Sequence, residues 1–425
     1  MTYAPPIYEV DPGQSIQDAI DAAADNGGGE VRLHAGIHQY DIAPKVRPGV
    51  HLVGQGQGIT LLHPGIDGIN ALEGSTTEFL NDIRVAHLSV RGRLLESPTE
   101  GTNDERGIRI ENAVNLRIED VEVYGCRNMG ITTKNADDLL ISGCRVYQCS
   151  RDGINATGSR AARIVDNYVQ GVGDDAIAMH DGNRGAWGTI ARNHVEDSHG
   201  IKVMAAKDID IVDNIVRNAN GYGIACYSTL TEGDGPTSVF RVKGNTIHGV
   251  VADGTVSRGI DLQFGAYTAQ YAQIEGNFIG STGPLSERIQ SLIYVSGFSR
   301  SFDVRDNTFV NGARGIYHYN NGVSESWHIN RNRFERIQNA VVLTPTALAS
   351  LRMYVSQNIF DMDPLEEYRI AGVWQNTTDG APLWVPNCRD IFVEGNHFWN
   401  YQKTAHGNAA TIVSYGKNWK SGLES

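Results

Sequence analysis

Arg106-Gly107-Ile108-Arg109-Ile110, Met129-Gly130-Ile131-Thr132-Thr133, Asp152-Gly153-Ile154-Asn155-Ala156 and Asp175-Ala176-Ile177-Ala178-Met179 share one pattern: variable, small, Ile, variable, often apolar. It recurs at His199-Gly200-Ile201, Tyr222-Gly223-Ile224, Arg258-Gly259-Ile260 and Arg314-Gly315-Ile316. The first six copies start 23, 23, 23, 24 and 23 residues apart. A fixed period of this size is the mark of a repeat architecture. A second pattern, Asn followed two residues later by an apolar residue, runs out of phase with it. It occurs at Asn167, Asn193, Asn214, Asn245, Asn277, Asn307, Asn332, Asn358 and Asn396. Between the two lie Val- and Ile-rich alternations such as LRIEDVEVYG, which suit strands.

Both patterns predict an all-β fold, a right-handed parallel β-helix (solenoid) with an N-terminal capping helix. Each turn would stack its strands about 4.8 Å from those of the turn before. Residues one period apart then superpose, so aliphatic positions fill a continuous core and the asparagines can bond one another at the turns. The stretch from Ser15 carries Ile16, Ala19, Ile20 and Ala23 on one helical face and ends in a Gly run, which predicts a helix capping the solenoid. The expected organisation is one continuous domain. Residues 1–60 would be an N-terminal cap and opening coil, 61–340 the β-helix coils, and 341–425 the last coils and C-terminal cap, where Trp374, Trp384, Trp399 and Trp419 lie. The gap between Tyr222 and Arg258 leaves room for a loop holding TLTEGDGPTS.

Composition agrees with short elements and many turns: 48 glycines against 13 prolines. A formal net charge of −13 argues against a nucleic-acid partner, which needs a basic stripe. No apolar run approaches the roughly 20 residues that span a bilayer, so no membrane partner is expected. MTYAPPIYEV lacks the features of a signal peptide, yet an extracellular or virion-associated setting is expected rather than a cytoplasmic one. Five cysteines leave at least one without an intrachain partner, and buried thiols are expected, with Cys126 stacked on Cys149. No metal-ligand spacing stands out.

The register gives a map of the outer face. The residue before each Gly-Ile forms one column: Arg106, Met129, Asp152, Asp175, His199, Tyr222, Arg258. Three residues on, the column reads Arg109, Thr132, Asn155, Ala178, Lys202, Ala225, Asp261; two further, Glu111, Lys134, Thr157, His180, Met204, Tyr227, Gln263. Asp152, Asp175 and His199 therefore align, with Asp174 beside them. Singly, each aspartate reads as a turn residue. Together, stacked like charges cost stability and need a reason. Carboxylates that repel one another push one pKa up, which places a general acid beside a general base, as glycosidic cleavage requires. The candidate catalytic residues are Asp152, Asp174, Asp175 and His199. Lys202, His180, Tyr222, Tyr227 and Asn155 are candidate substrate contacts, with a polysaccharide or oligosaccharide as partner.

Ser150-Arg151-Asp152-Gly153, Gly173-Asp174-Asp175-Ala176 and Ser198-His199-Gly200 resemble, in order and spacing, the signature of the polygalacturonase family of inverting glycoside hydrolases within the pectin-lyase-like β-helix superfamily. The resemblance implies that Asp175 is the general acid, that Asp152 and Asp174 hold the attacking water, and that His199 supports the site. The chain departs from the family at Ser150 and Arg151, and at Ala225 and Tyr227 where two basic residues would hold a uronate. Lys202 is a candidate substitute. GGGEVRLHAGIH resembles the opening module of phage tailspike depolymerases, which implies a monomer or a homotrimer. No cofactor is expected for a hydrolase. A polysaccharide lyase or C5-epimerase acting on a uronate polymer on the same scaffold is the alternative; such enzymes often use Ca²⁺ to neutralise the acid. A glycan-binding or structural spike protein with Tyr222, Tyr227, Tyr294, Tyr317 and Tyr319 as a stacking platform is a third expectation.

Overall fold

The computed structural model describes residues 6–97, 105–182, 184–228, 239–254, 256–264, 271–284, 288–297, 301–319, 326–344 and 352–362, then short strands at 383–384, 391–399, 405–406, 412–415 and 419–421. The TLTEGDGPTS stretch, Trp374 and Cys388 lie outside the described residues. Two compact units divide the chain, Met1–Ile209 and Asp210–Ser425. Each is built of parallel strands wound as a right-handed β-helix. Among the described residues, no helix is long and apolar enough to cross a membrane.

In the first unit the strands Ile108–Glu111, Ile131–Lys134, Ile154–Thr157, Asp175–His180 and His199–Met204 pair in succession. The register is the one the repeat implies: Arg109 beside Thr132, Thr132 beside Asn155, Asn155 beside Ala178, Ala178 beside Lys202. Two further stacks complete each turn, one through Ala113–Tyr124, Asp137–Ser142, Ala162–Val165 and Trp187–Ala191, the other through Arg145–Tyr147, Tyr168–Gln170 and His194–Glu196. Ile108, Ile131, Ile154, Ile177 and Ile201 are all fully buried. Each such side chain contributes roughly 1.5–3 kcal/mol by leaving water. The small residue before each Ile has a steric cause. A Cβ on Gly130 would lie 2.6 Å from the carbonyl oxygen of Gly153, and one on Gly153 would lie 2.7 Å from that of Ala176.

The helix Ile16–Asp25 starts where expected: Ser15 caps it, its hydroxyl accepting from the Asp18 N–H at 3.1 Å. Ile16, Ile20 and Ala23 are buried against the first strands, while Ala19 is only half-buried. Cys126, Cys144, Cys149 and Cys226 are buried free thiols, and a hydrogen bond links the Cys126 thiol to that of Cys149. That bond and burial push the Cys126 thiol well up.

The asparagines form the expected ladders. In the first unit Asn193 Oδ1 accepts from both the N–H and the Nδ2 of Asn167, at 3.0 and 2.9 Å. In the second, Asn214, Asn245, Asn277, Asn307, Asn332, Asn358 and Asn396 repeat this geometry at 2.9–3.1 Å. Every Nδ2 at a buried corner thus has a partner, which removes the penalty of desolvating an amide. The residue before each ladder Asn is in the left-handed region: Asp166 at φ 59°, Asp306 at 58°, Arg331 at 51°, with Gly244 and Gly276 elsewhere. That corner turns the chain from one sheet to the next. The second unit also packs an aromatic stack absent from the expectations, Phe309, Phe334 and Phe360, with centroids 4.8 and 4.9 Å apart.

Candidate active site

A cleft of about 470 Å³ opens on the Ile108–Met204 sheet of the first unit. Asp152, Asp174, Asp175, His180, Lys202 and Asn155 all line it. Strand alternation puts Asn155, His180 and Lys202 on the face opposite the buried isoleucines, whereas Asp152 and Asp175, two residues before Ile154 and Ile177, reach the cleft from just before or at the first residue of their strands. The parallel register sets Asp175 directly beside His199, and Asp152 occupies the matching position one turn earlier. The expected column is real.

Within the cleft the carboxyls differ. Asp152 is 4 % exposed, and Asp175 only 2 %. Burial pushes the Asp152 carboxyl up to about 6; Asp175 and Asp174 push the same way, opposed by a 2.6 Å hydrogen bond from Asn155 Nδ2 and by the Lys202 ammonium. The amide of Asn155 is itself oriented, since its Oδ1 accepts from the Thr157 hydroxyl at 2.9 Å. Asp174 moves the other way: its hydrogen bond with His199 holds it below the usual carboxylate range, and Lys202 and Arg151 add to the effect against partial burial. His199 Nδ1 lies 3.3 Å from Asp174 Oδ1 and 3.9 Å from Asp175 Oδ1. Lys202 Nζ is 3.3 Å from Asp175 Oδ2, an ion pair that balances a nearly buried charge. Burial draws His180 below its ordinary value, so its ring is neutral at pH 7.

Asp174, Asp175 and His199 each offer one donor atom within 4.8 Å of the others, a set that could hold a metal ion. Two carboxylates and an imidazole suit a transition ion better than Ca²⁺, which takes six to eight oxygens. The Lys202 ammonium already occupies one side of Asp175.

The structure brings together Asp152, Asp174, Asp175, His199, Lys202, His180 and Asn155. Asn155 turns toward Asp152, and His199 stands behind Asp174 rather than on the cleft wall. Tyr222 and Tyr227 lie on the strand Tyr222–Tyr227 of the second unit, where the Tyr227 hydroxyl donates to Asp261 Oδ2 at 3.1 Å. Sequence reasoning did not assign the cleft walls to Arg109, Lys134 and Arg151. The register columns held the first two, and Arg151 is the neighbour of Asp152; their charge alone did not mark them.

The family description "Right handed beta helix region" matches residues 49–213 and 106–279, together more than half of the chain. No curated protein sequence matches it. Among solved structures, the A-module of mannuronan C-5 epimerase AlgE6 from Azotobacter vinelandii is similar at 19 % identity and TM-score 0.62, over 84 % of this chain and 99 % of that one. The catalytic domain of a GH87 alpha-1,3-glucanase in complex with tetrasaccharides is similar at 17 % identity and TM-score 0.59, over 93 % and 71 %. An N-terminal fragment of bacteriophage Phi29 gene product 12 is similar at 12 % identity and TM-score 0.56, over 97 % and 91 %. At these identities the likeness establishes the fold. With its register, its ladders and these matches taken together, the chain belongs to the right-handed β-helix family.

Proposed function

We propose that the protein hydrolyses glycosidic bonds of a polysaccharide, acting as an inverting glycoside hydrolase. The observation that carries this reading is the contrast between two carboxyls in one cleft: Asp152 is nearly buried, which pushes it up to about 6, whereas Asp174 lies 3.3 Å from His199 Nδ1, which holds it below its ordinary range. An acid that keeps its proton beside a base that has lost its own is the pair such a reaction needs. Asp152, rather than Asp175, is the group suited to donate. Its proton goes to the glycosidic oxygen as the C–O bond breaks. Asp174, held by His199, takes a proton from water as the water oxygen attacks the anomeric carbon. Asp175, paired with Lys202, orients that water.

The fold is one that proteins named for polysaccharide chemistry also use, among them an alpha-1,3-glucanase and a mannuronan epimerase. The test is a polysaccharide panel read by reducing ends, by ultraviolet absorbance of unsaturated sugars and by NMR of the first-formed anomer. New reducing ends of inverted configuration, without unsaturated product, are expected. Unsaturated product would replace the reading with a lyase, and binding without turnover would replace it with a glycan-binding protein.

A further inference from the structure

The opening turn of the solenoid holds another cavity, of about 500 Å³, within the roughly 300–1,000 Å³ that small-molecule sites occupy. It lies at the N-terminal end of the helix Ile16–Asp25, and its other wall runs from His38 to Pro44. The register places it well away from the acid cluster. His38 pairs with Leu62, Leu62 with Val90, Val90 with Val123, and Val123 with Val146, on the turn that leads into Asp152. That is four strand spacings, about 19 Å along the stack.

Two sets of polar atoms meet in this cavity. His38 is 2 % exposed, and its Nε2–H donates to the His34 carbonyl oxygen at 3.0 Å. With the hydrogen on Nε2, Nδ1 carries a lone pair, and this buried atom has no partner among the described residues. A buried acceptor is costly unless something donates to it. On the helix, the Ser15 hydroxyl takes the Asp18 N–H. The N–H groups of Ile16 and Gln17 come before the first intrahelical bond and meet no acceptor among the described residues. The helix start is fixed in place, since Gln17 Oε1 accepts from the Lys45 N–H at 2.7 Å.

Charge selects the ligand. A helix start by itself favours an anion. Here Asp41 is the charged side chain among the described lining residues, and the Nδ1 lone pair also repels negative charge. A hydroxyl group fits instead. Its oxygen accepts from two N–H groups while its hydrogen goes to one acceptor. Ile16, Ala43 and Pro44 supply apolar walls, and Ile42 stands 81 % exposed beside them, as the C–H face of a sugar ring requires. We propose that this cavity binds a neutral saccharide unit, one hydroxyl of which lies between His38 Nδ1 and the start of the helix, as a site separate from the cleft. The choice of a saccharide rests on the reading of the cleft as a polysaccharide hydrolase; the hydroxyl rests on the cavity alone.

The test is NMR of the full chain with isotope-labelled histidine rings, the His38 signal being assigned by its loss in His38→Gln. The probes are methyl glucoside, methyl mannoside, methyl galactoside and N-acetylglucosamine, with acetate, inorganic phosphate and glycerol alongside. At least one sugar should shift the Nδ1 resonance of His38 saturably, and acetate and phosphate should not. His38→Gln keeps a donor for the His34 carbonyl but removes the acceptor. It should weaken that sugar about tenfold in calorimetry, with the unfolding midpoint and the cleavage of short soluble substrates unchanged. Ala43→Leu, which fills the cavity and leaves His38 in place, should abolish the shift. A His38 signal that no sugar moves, or that acetate, phosphate or glycerol moves as readily, overturns the proposal, as does full binding in both variants. The two readings fail separately. Turnover of a polysaccharide with His38 unmoved removes this site and leaves the hydrolase standing, whereas a saturable His38 shift in a protein that cleaves nothing does the reverse.

Discussion

Asn155 Nδ2 donates a 2.6 Å hydrogen bond to Asp152 Oδ2, three residues back along the same strand edge. It stabilises the ionised form of a carboxyl that burial and two neighbouring aspartates drive toward the protonated form. The position of the Asp152 titration is thus a balance of named contacts, and each can be removed.

Asp152→Asn should lower turnover at least about a hundredfold, because the proton donor is gone. It should also stabilise the protein at neutral pH. The folded carboxyl titrates at about 6 against an ordinary 3.8. Its stabilising contribution is therefore fully present below pH 3.8 and is lost as the pH rises through 6. At pH 8 the substitution should add on the order of 2–3 kcal/mol, shrinking to nothing near the unfolded value. Urea unfolding of both proteins at the two extremes of pH checks it; an equal gain at both would contradict the assigned burial cost.

The two limbs of the pH–rate profile should move independently. Asn155→Ala removes a bond to the Asp152 carboxylate, raises its pKa and carries the alkaline limb to higher pH. His199→Ala removes the bond that holds Asp174 low, raises that pKa and carries the acid limb to higher pH. Profiles of kcat/KM for both variants read this directly. A parallel shift of both limbs in either variant would sink the division of roles.

Asn307→Leu should cost about 3 kcal/mol or more. It strips partners from the N–H and Nδ2 of Asn277 and from the Ile274 carbonyl, all buried. Arg331→Ala, which removes an exposed pair with Asp306 at 2.7 Å, should cost less than about 1 kcal/mol. Denaturation midpoints of the two variants compare an interior corner with its solvent-facing neighbour.

Gly153→Ala should destabilise by about 1–3 kcal/mol and reduce activity as well. The added methyl meets the Val169 Cγ1 at 2.5 Å and the Ala176 carbonyl oxygen at 2.7 Å, so the backbone beside Asp152 has to shift to admit it. Thermal unfolding and turnover should fall together in this variant. Full activity with lowered stability would show that the backbone yields elsewhere.

The parallel register was legible in the sequence because the period is short and each copy carries a small residue before an isoleucine. Steric exclusion at Gly130 and Gly153 and the fully buried Ile131 and Ile154 make that pattern unavoidable. The buried asparagines could be read for the same reason: a repeated amide in a dry corner is stable only if its copies satisfy one another. The left-handed residue before each Asn was not legible, since Asp166, Arg331 and Gln357 share no chemistry, only a backbone angle.

Spacing along the chain already settles which side chains share a column, and hence that Asp152, Asp175 and His199 are neighbours. That follows from covalent spacing and strand pairing. How those neighbours differ is a property of the folded packing. Asp152 keeps its proton longer because it is buried and Asp174 loses its own sooner because His199 reaches it; both depend on distances and solvent exclusion, which no period in the chain encodes.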